Sequence, residues 1–184
     1  MEDDPVKMLI EEHKFILKVV AACAAISHRL TAGEKGDVEL LLRIVEFMQQ
    51  YADKCHHGKE EDLLFPALEK AGVPSTGCPL EALRAEHKKG RQLVAQLNDS
   101  ANEYARLVTG ASDGILIALN GIAKLYPNHI WKEDVMVFPM ADRLFSPEKK
   151  KELLLEFREV KANLGHDVHC KFISFAEKLN ELSQ

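Results

Sequence analysis

Two stretches decide the reading: CHHGKEEDLLFP, Cys55 to Pro66, and NHIWKEDVMVFP, Asn128 to Pro139. Aligned on Phe65-Pro66 and Phe138-Pro139, they stand 73 residues apart, and His56 matches His129, Lys59 matches Lys132 and Glu60 matches Glu133. His57 matches Ile130 and has no histidine counterpart. A second pair of stretches repeats at nearly the same distance. Glu12-His13-Lys14 and Glu86-His87-Lys88 lie 74 residues apart. Each half of the chain therefore contributes one helix with a lone histidine and one with H-x-x-x-E, the pattern of a duplicated helical hairpin.

Proline and glycine divide the rest into long helical segments. Leu9, Ile16, Val20 and Cys23 mark the apolar face of a first helix, from about Pro5 to Leu30. A second begins after the N-cap Asp37 and carries Leu41, Val45, Met48 and Ala52 into the first motif. A third starts near Pro79 with Leu80, Leu83, Val94 and Leu97 on one face. A fourth carries Ile115, Leu119, Ile122 and Tyr126 into the second motif, with a kink expected at Pro127. Pro66 and Pro139 predict further kinks at matching depths past the two motif glutamates. Ser146-Pro147-Glu148 reads as the cap and first turn of a fifth helix, bending at Gly165 and ending on Phe172, Phe175, Ala176 and Leu179. Strand alternation is absent. The expected fold is all-α: an up-down-up-down four-helix bundle over residues 1–145, with residues 146–184 as a C-terminal helical extension packed on it.

The six repeated residues fall on the inward stripes. His13 continues Leu9, Ile16 and Val20, and His87 continues Leu83 and Val94. Residues four apart lie one above the other on a helix, so His56 with Glu60, and His129 with Glu133, point the same way. Four imidazoles and two carboxylates then share one core. Unpaired carboxylates there would cost several kcal/mol or stay protonated. One such histidine reads most simply as a core residue bonded to a nearby glutamate. Six at repeated spacing favour a divalent metal pair, and nitrogen and oxygen donors without thiolate suit iron better than zinc.

These residues resemble the hemerythrin family, specifically the bacterial hemerythrin-like or HHE cation-binding proteins, over about Val6 to Leu144. The resemblance rests on His13, HHGKEEDLLFP from His56, EHK around His87 and HIWKEDVMVFP from His129. It implies two non-haem irons, oxo- or hydroxo-bridged, with Glu60 and Glu133 as bridges and His13, His56, His87 and His129 as terminal ligands. It also implies binding of, or reaction with, dioxygen, peroxide or nitric oxide. The alternative class is an iron- or oxygen-responsive regulatory or iron-handling protein without turnover. In one respect the chain departs from the oxygen carriers: they place an H-x-x-x-H pair on the third helix, and here Leu83 and Arg91 flank His87 at that spacing.

The other histidines and acids are less decided. His57 reads as a helix-flank residue, with a group supporting the ligands or a substitute ligand as the alternatives. His169 reads as structural, with a fifth ligand or lid as the alternative. Glu61 and Asp134 read as a solvated acidic face or as groups holding imidazoles. Tyr126 and Trp131 read as shields for the metals or as ordinary core aromatics. The composition is that of a globular chain, nearly half apolar and 29% charged with both signs mixed. The formal net charge of −5 and the lack of a basic block argue against nucleic acid as a partner. No apolar run is long enough to span a membrane, and the acidic start Met1-Glu2-Asp3-Asp4 does not resemble a signal peptide. Cys23, Cys55, Cys78 and Cys170 are scattered, as free thiols of a cytoplasmic protein would be.

Overall fold

The computed structural model describes residues 4–77 and 79–182; Met1, Glu2, Asp3 and the Cys78 thiol lie outside the described residues. Helix α1 (Pro5–Thr31) is capped by Asp4, whose carboxylate accepts from the Val6 and Lys7 amides. The second arm of the bundle is a composite. It runs as α2 (Val38–Phe47), a π-helical segment π1 (Met48–His57), a second π segment π2 (Glu60–Leu64) and α3 (Phe65–Lys70). Asp37 caps it through the Leu40 amide, as expected. The third arm is α4 (Pro79–Ala105). The fourth runs as α5 (Ala111–Lys132), π3 (Glu133–Val137) and α6 (Phe138–Leu144).

The two motif arms are thus irregular at the same place. Each has a five-residue π segment that starts at the motif glutamate and ends immediately before Phe-Pro. Pro66 and Pro139 lack the amide hydrogen that would bond back one turn, and each ring crowds the carbonyl four residues earlier. A wider turn upstream accommodates both effects, and such π turns are frequent where a helix carries a functional site. The kink expected at Pro127 is displaced: α5 runs on through it, and the irregularity falls at Glu133–Val137. Pro127 faces solvent, so water can satisfy the carbonyl it frees.

The interior is two apolar clusters stacked along the bundle, with the polar motif residues between them. One is built on Val20, Phe47, Leu97, Leu119 and Ile122, the other on Leu9, Phe65, Leu83 and Phe138. Helices α4 and α5 approach closely because Gly121 has no side chain; a Cβ there would lie 2.5 Å from a Leu93 methyl. The expected fifth helix is two. Helix α7 (Pro147–Leu164) is capped by Ser146 and ends at Gly165, whose φ of +89° an L side chain rarely adopts. Helix α8 (His166–Leu182) then turns back across the bundle. Its Phe172 and Phe175 rings pack on Phe47, with centroids 5.8 and 6.2 Å away. Among the described residues, no helix is long and apolar enough to cross a membrane.

Phe172 is buried against Phe47 and Tyr51 and touches none of the motif histidines. Phe172→Ala is therefore expected to destabilise the fold by about 3 kcal/mol, the usual cost of emptying a buried aromatic site. The loss appears as an earlier urea midpoint with an unchanged slope.

Candidate metal centre

All six repeated residues meet in the space between the apolar clusters, and a seventh joins them. His13, His56, Glu60 and Glu133 offer ligand atoms within 4.8 Å of one another, as do His57, His87 and His129. Every member is buried. The two sets are joined through the carboxylates. Glu60 places Oε1 3.6 Å from His56 Nε2 and Oε2 3.5 Å from His87 Nε2. Glu133 places Oε2 3.2 Å from His13 Nε2 and Oε1 3.1 Å from His129 Nε2. Each glutamate therefore spans the sets, one oxygen to each.

None of these four oxygens, nor His13 Nε2, meets a hydrogen-bond partner in acceptable geometry. Buried polar atoms are seldom left so. Ring nitrogens and carboxylate oxygens converge on shared points rather than on each other, and the Nε2 atoms of His87 and His129 stand 3.1 Å apart. This donor set fits a pair of hard or borderline cations. Together with the fold, the two clusters support a diiron-type metal site.

Each histidine is held from behind. His56 Nδ1 donates to Glu12 at 2.9 Å, and Glu12 also binds the Lys59 ammonium. His129 Nδ1 donates to Glu86 at 3.0 Å, and Glu86 also binds Lys132. Those contacts stay within one half of the repeat. The other two cross between halves: His13 Nδ1 donates to Asp134 at 2.9 Å, and His87 Nδ1 to Glu61 at 2.6 Å. A carboxylate can only accept here, so it fixes the proton on Nδ1 and turns Nε2 toward the centre. Glu61 and Asp134 thus hold imidazoles rather than forming a solvated face. Glu12, Glu86, Lys59 and Lys132 were missed by sequence reasoning as site residues, although each repeats with its histidine.

The electrostatics follow from two carboxylates sharing a dry site. Burial and the neighbouring Glu133 charge push Glu60 up to about 8. Glu133 is held well below the carboxylate range: burial opposes its charge, and the His129, His13 and His87 rings outweigh it. Burial also opposes charge on His13, but Asp134 and Glu133 raise it to about 9. His129 is raised to about 10, the Glu133 charge overcoming burial. Burial lowers His56 to about 4, only partly offset by Glu12, and burial with the His87 charge drives His57 well below its ordinary value.

His57 lies off the helix flank where its lack of a repeat partner would put it. It is buried, stacked on His87 with ring centroids 3.8 Å apart, and its Nδ1 lies 3.3 Å from Asp53. A π turn rotates the chain less per residue than an α turn, so the adjacent His56 and His57, at the end of π1, both face inward. His169 is buried beside Tyr51, ring centroids 5.4 Å apart, and belongs to neither set. Trp131 does not shield the centre, being 58% exposed; Tyr126 is buried, 6.2 Å from both His57 and His129.

The hemerythrin HHE cation binding domain family matches residues 4–141. The chain belongs to that family. Uncharacterized proteins of Mycobacterium bovis and of two strains of Mycobacterium tuberculosis are 23% identical over 164 residues, covering 89% of this chain. The chain spans 61% of the length of these relatives. No solved structure matches it.

The two lysines give a matched test of the hemerythrin-type scaffold. Lys59 is wholly buried, under the Phe157 ring of α7, whereas Lys132 is a third exposed. Lys59→Met leaves Glu12 charged and buried without its ammonium and should cost about 3 kcal/mol. Lys132→Met should cost about 1 kcal/mol or less. Equilibrium unfolding of the two variants measures the difference.

Metal uptake should release protons, because His13, His129 and Glu60 hold theirs at neutral pH without a cation beside them. Apparent affinity for a divalent ion should rise from pH 6 toward pH 9. Calorimetric titrations in buffers of different ionisation enthalpy count the protons.

Proposed function

We propose that the chain is a non-haem diiron protein that binds or reacts with dioxygen or a related small oxidant or diatomic, peroxide and nitric oxide included. His13 and His56 would hold one iron, His57, His87 and His129 the other, and Glu60 and Glu133 would offer an oxygen to each. The observation that carries this reading is the carboxylate geometry: each buried glutamate presents one oxygen to each histidine set, and neither has a hydrogen-bond donor of its own. His57 supplies the fifth imidazole that the third helix lacks, from a neighbouring arm.

The chemistry follows from the ligand count. Five imidazoles and two carboxylates shared between the ions would fill about nine of roughly twelve positions on two six-coordinate ions. That leaves room for an oxygen bridge and a small external ligand. The iron pair supplies electrons and open coordination. The chain keeps the imidazoles oriented through Glu12, Glu61, Glu86 and Asp134, and its apolar clusters keep bulk water away. We place the protein in a reducing compartment, the cytoplasm, where the buried thiols of Cys23 and Cys55 stay free.

Protein loaded anaerobically should hold about two irons per chain, as this kind of bundle site does. Its absorption spectrum should change when the reduced form meets air. His57→Ala should lower the content toward about one, while His169→Ala keeps both irons. Full loading of the His57 variant would assign that ring a supporting role only. A single tightly held ion in the unmodified chain would overturn the diiron reading.

A further inference from the structure

Arg91 lies on α4, four residues after His87, and its guanidinium bonds two carboxylates at once. Nε donates to Asp53 Oδ1 at 2.8 Å, and Nη2 donates to Glu61 Oε2 at 2.8 Å. Each of those carboxylates holds an imidazole of the same metal-binding set. His57 Nδ1 lies 3.3 Å from Asp53 Oδ1, and His87 Nδ1 donates to Glu61 Oε1 at 2.6 Å. The two rings stack with an interplanar angle of 16°. Asp53, His57 and Glu61 follow one another at four-residue intervals on the second arm, as His87 and Arg91 do on α4. The five side chains therefore close a ring between the two arms.

The other imidazoles are held differently. Lys59 and Lys132 each serve one carboxylate, Glu12 behind His56 and Glu86 behind His129. Among the described residues, Asp134, behind His13, pairs with no lysine or arginine. An ammonium is a point charge, whereas a guanidinium presents several donors in fixed directions, as two carboxylates eight residues apart require. Two effects of Arg91 on a bound cation oppose each other. Its charge repels the cation, and its two bonds orient the imidazoles that would hold it. Arg91 is 41% exposed and both carboxylates reach solvent, so the repulsion is screened. Orientation prevails, because losing such supporting bonds costs about 10–100-fold in metal affinity.

We propose that Arg91 is a positioning residue that sets the order of metal loading: the His57, His87 and His129 set fills first and holds its ion more firmly, and the His13 and His56 set takes the second, exchangeable ion. The inference rests on the two-metal reading of the centre and adds an order to it. Three imidazoles against two give the first set its lead, and Arg91 fixes two of the three.

The test titrates the metal-free full chain with cobalt(II), which shifts the N–H resonances of the imidazoles that bind it. The unmodified chain should take about two ions. The first should shift three imidazole N–H resonances and the second two more. A chain that binds about one ion in all removes the two-metal reading, and this inference with it. Two ions bound with all five resonances shifting together, or the pair first, would overturn the order alone. Arg91→Gln should weaken binding at the three-imidazole set about tenfold or more, while His13 and His56 titrate as before. The His57 and His87 N–H protons should then exchange faster with water. Arg91→Lys keeps the charge but reaches one carboxylate at a time, so its affinity should fall between the two. Full affinity at that set in either variant would overturn the clamp. Equal weakening of both sets, with earlier unfolding of the metal-free chain, would mark Arg91 as a structural contact and overturn it as well.

Discussion

Glu60 and Glu133 face a shared space in the middle of the bundle, fully buried, and none of their four oxygens has a hydrogen-bond donor. That is the constraint on which the rest of the molecule depends. Without a cation, only one of the pair can carry its charge comfortably: Glu60 keeps a proton while Glu133 is ionised against three imidazoles. The bundle does not remove this tension by packing. It holds both carboxylates at the start of matching π turns, each aimed at histidines on both sides. An apolar core of the same shape would be more stable, as replacements of buried ion pairs elsewhere indicate. Keeping the glutamates makes sense when two cations supply the missing charge.

The carboxylates behind the histidines explain how four separate arms deliver ring nitrogens to common points. Glu12 with His56 and Glu86 with His129 tie each hairpin to itself; Asp134 with His13 and Glu61 with His87 tie the hairpins together. Register between the halves is therefore set by the same bonds that orient the ligands. A slip of one helical turn would break the crossed pairs and misdirect the rings together. Fold and site are specified by one network.

The sequence made the six repeated residues legible because duplication states each twice, at spacings a helix turns into a common face. The arms, the caps at Asp37 and Ser146 and the apolar face of α8 were readable for similar reasons of periodicity. His57 was not. In an α-helix it would sit a hundred degrees or so away from His56, and the π turn that brings it inward has no strong local signature. The proline two residues past each π segment was the available clue, and it pointed to a kink rather than a widened turn. Lys59 was missed as part of the site, since lysine is seldom fully buried; here α7 folds Phe157 over it and Glu12 binds its ammonium. Trp131 failed the opposite way, being aromatic, next to a ligand position, and yet outside. Chain breaks at glycine were foreseen, but that Gly165 ends a helix rather than bending it depends on its positive φ.

The asymmetry between the halves carries as much information as the repeat. A perfect duplication would have two equivalent seams, two equally exposed lysines and four histidines. Instead α7 and α8 cover the first half, burying Lys59 and packing on Phe47 and Tyr51, while Lys132 and Trp131 of the second half remain at the surface. The extra histidine arises in the covered hairpin but faces α4 of the other half, where its ring stacks on His87. Repetition built the matched pair of buried carboxylates; its breaking covered one half with α7 and α8 and added a fifth imidazole, His57, to the set of His87 and His129.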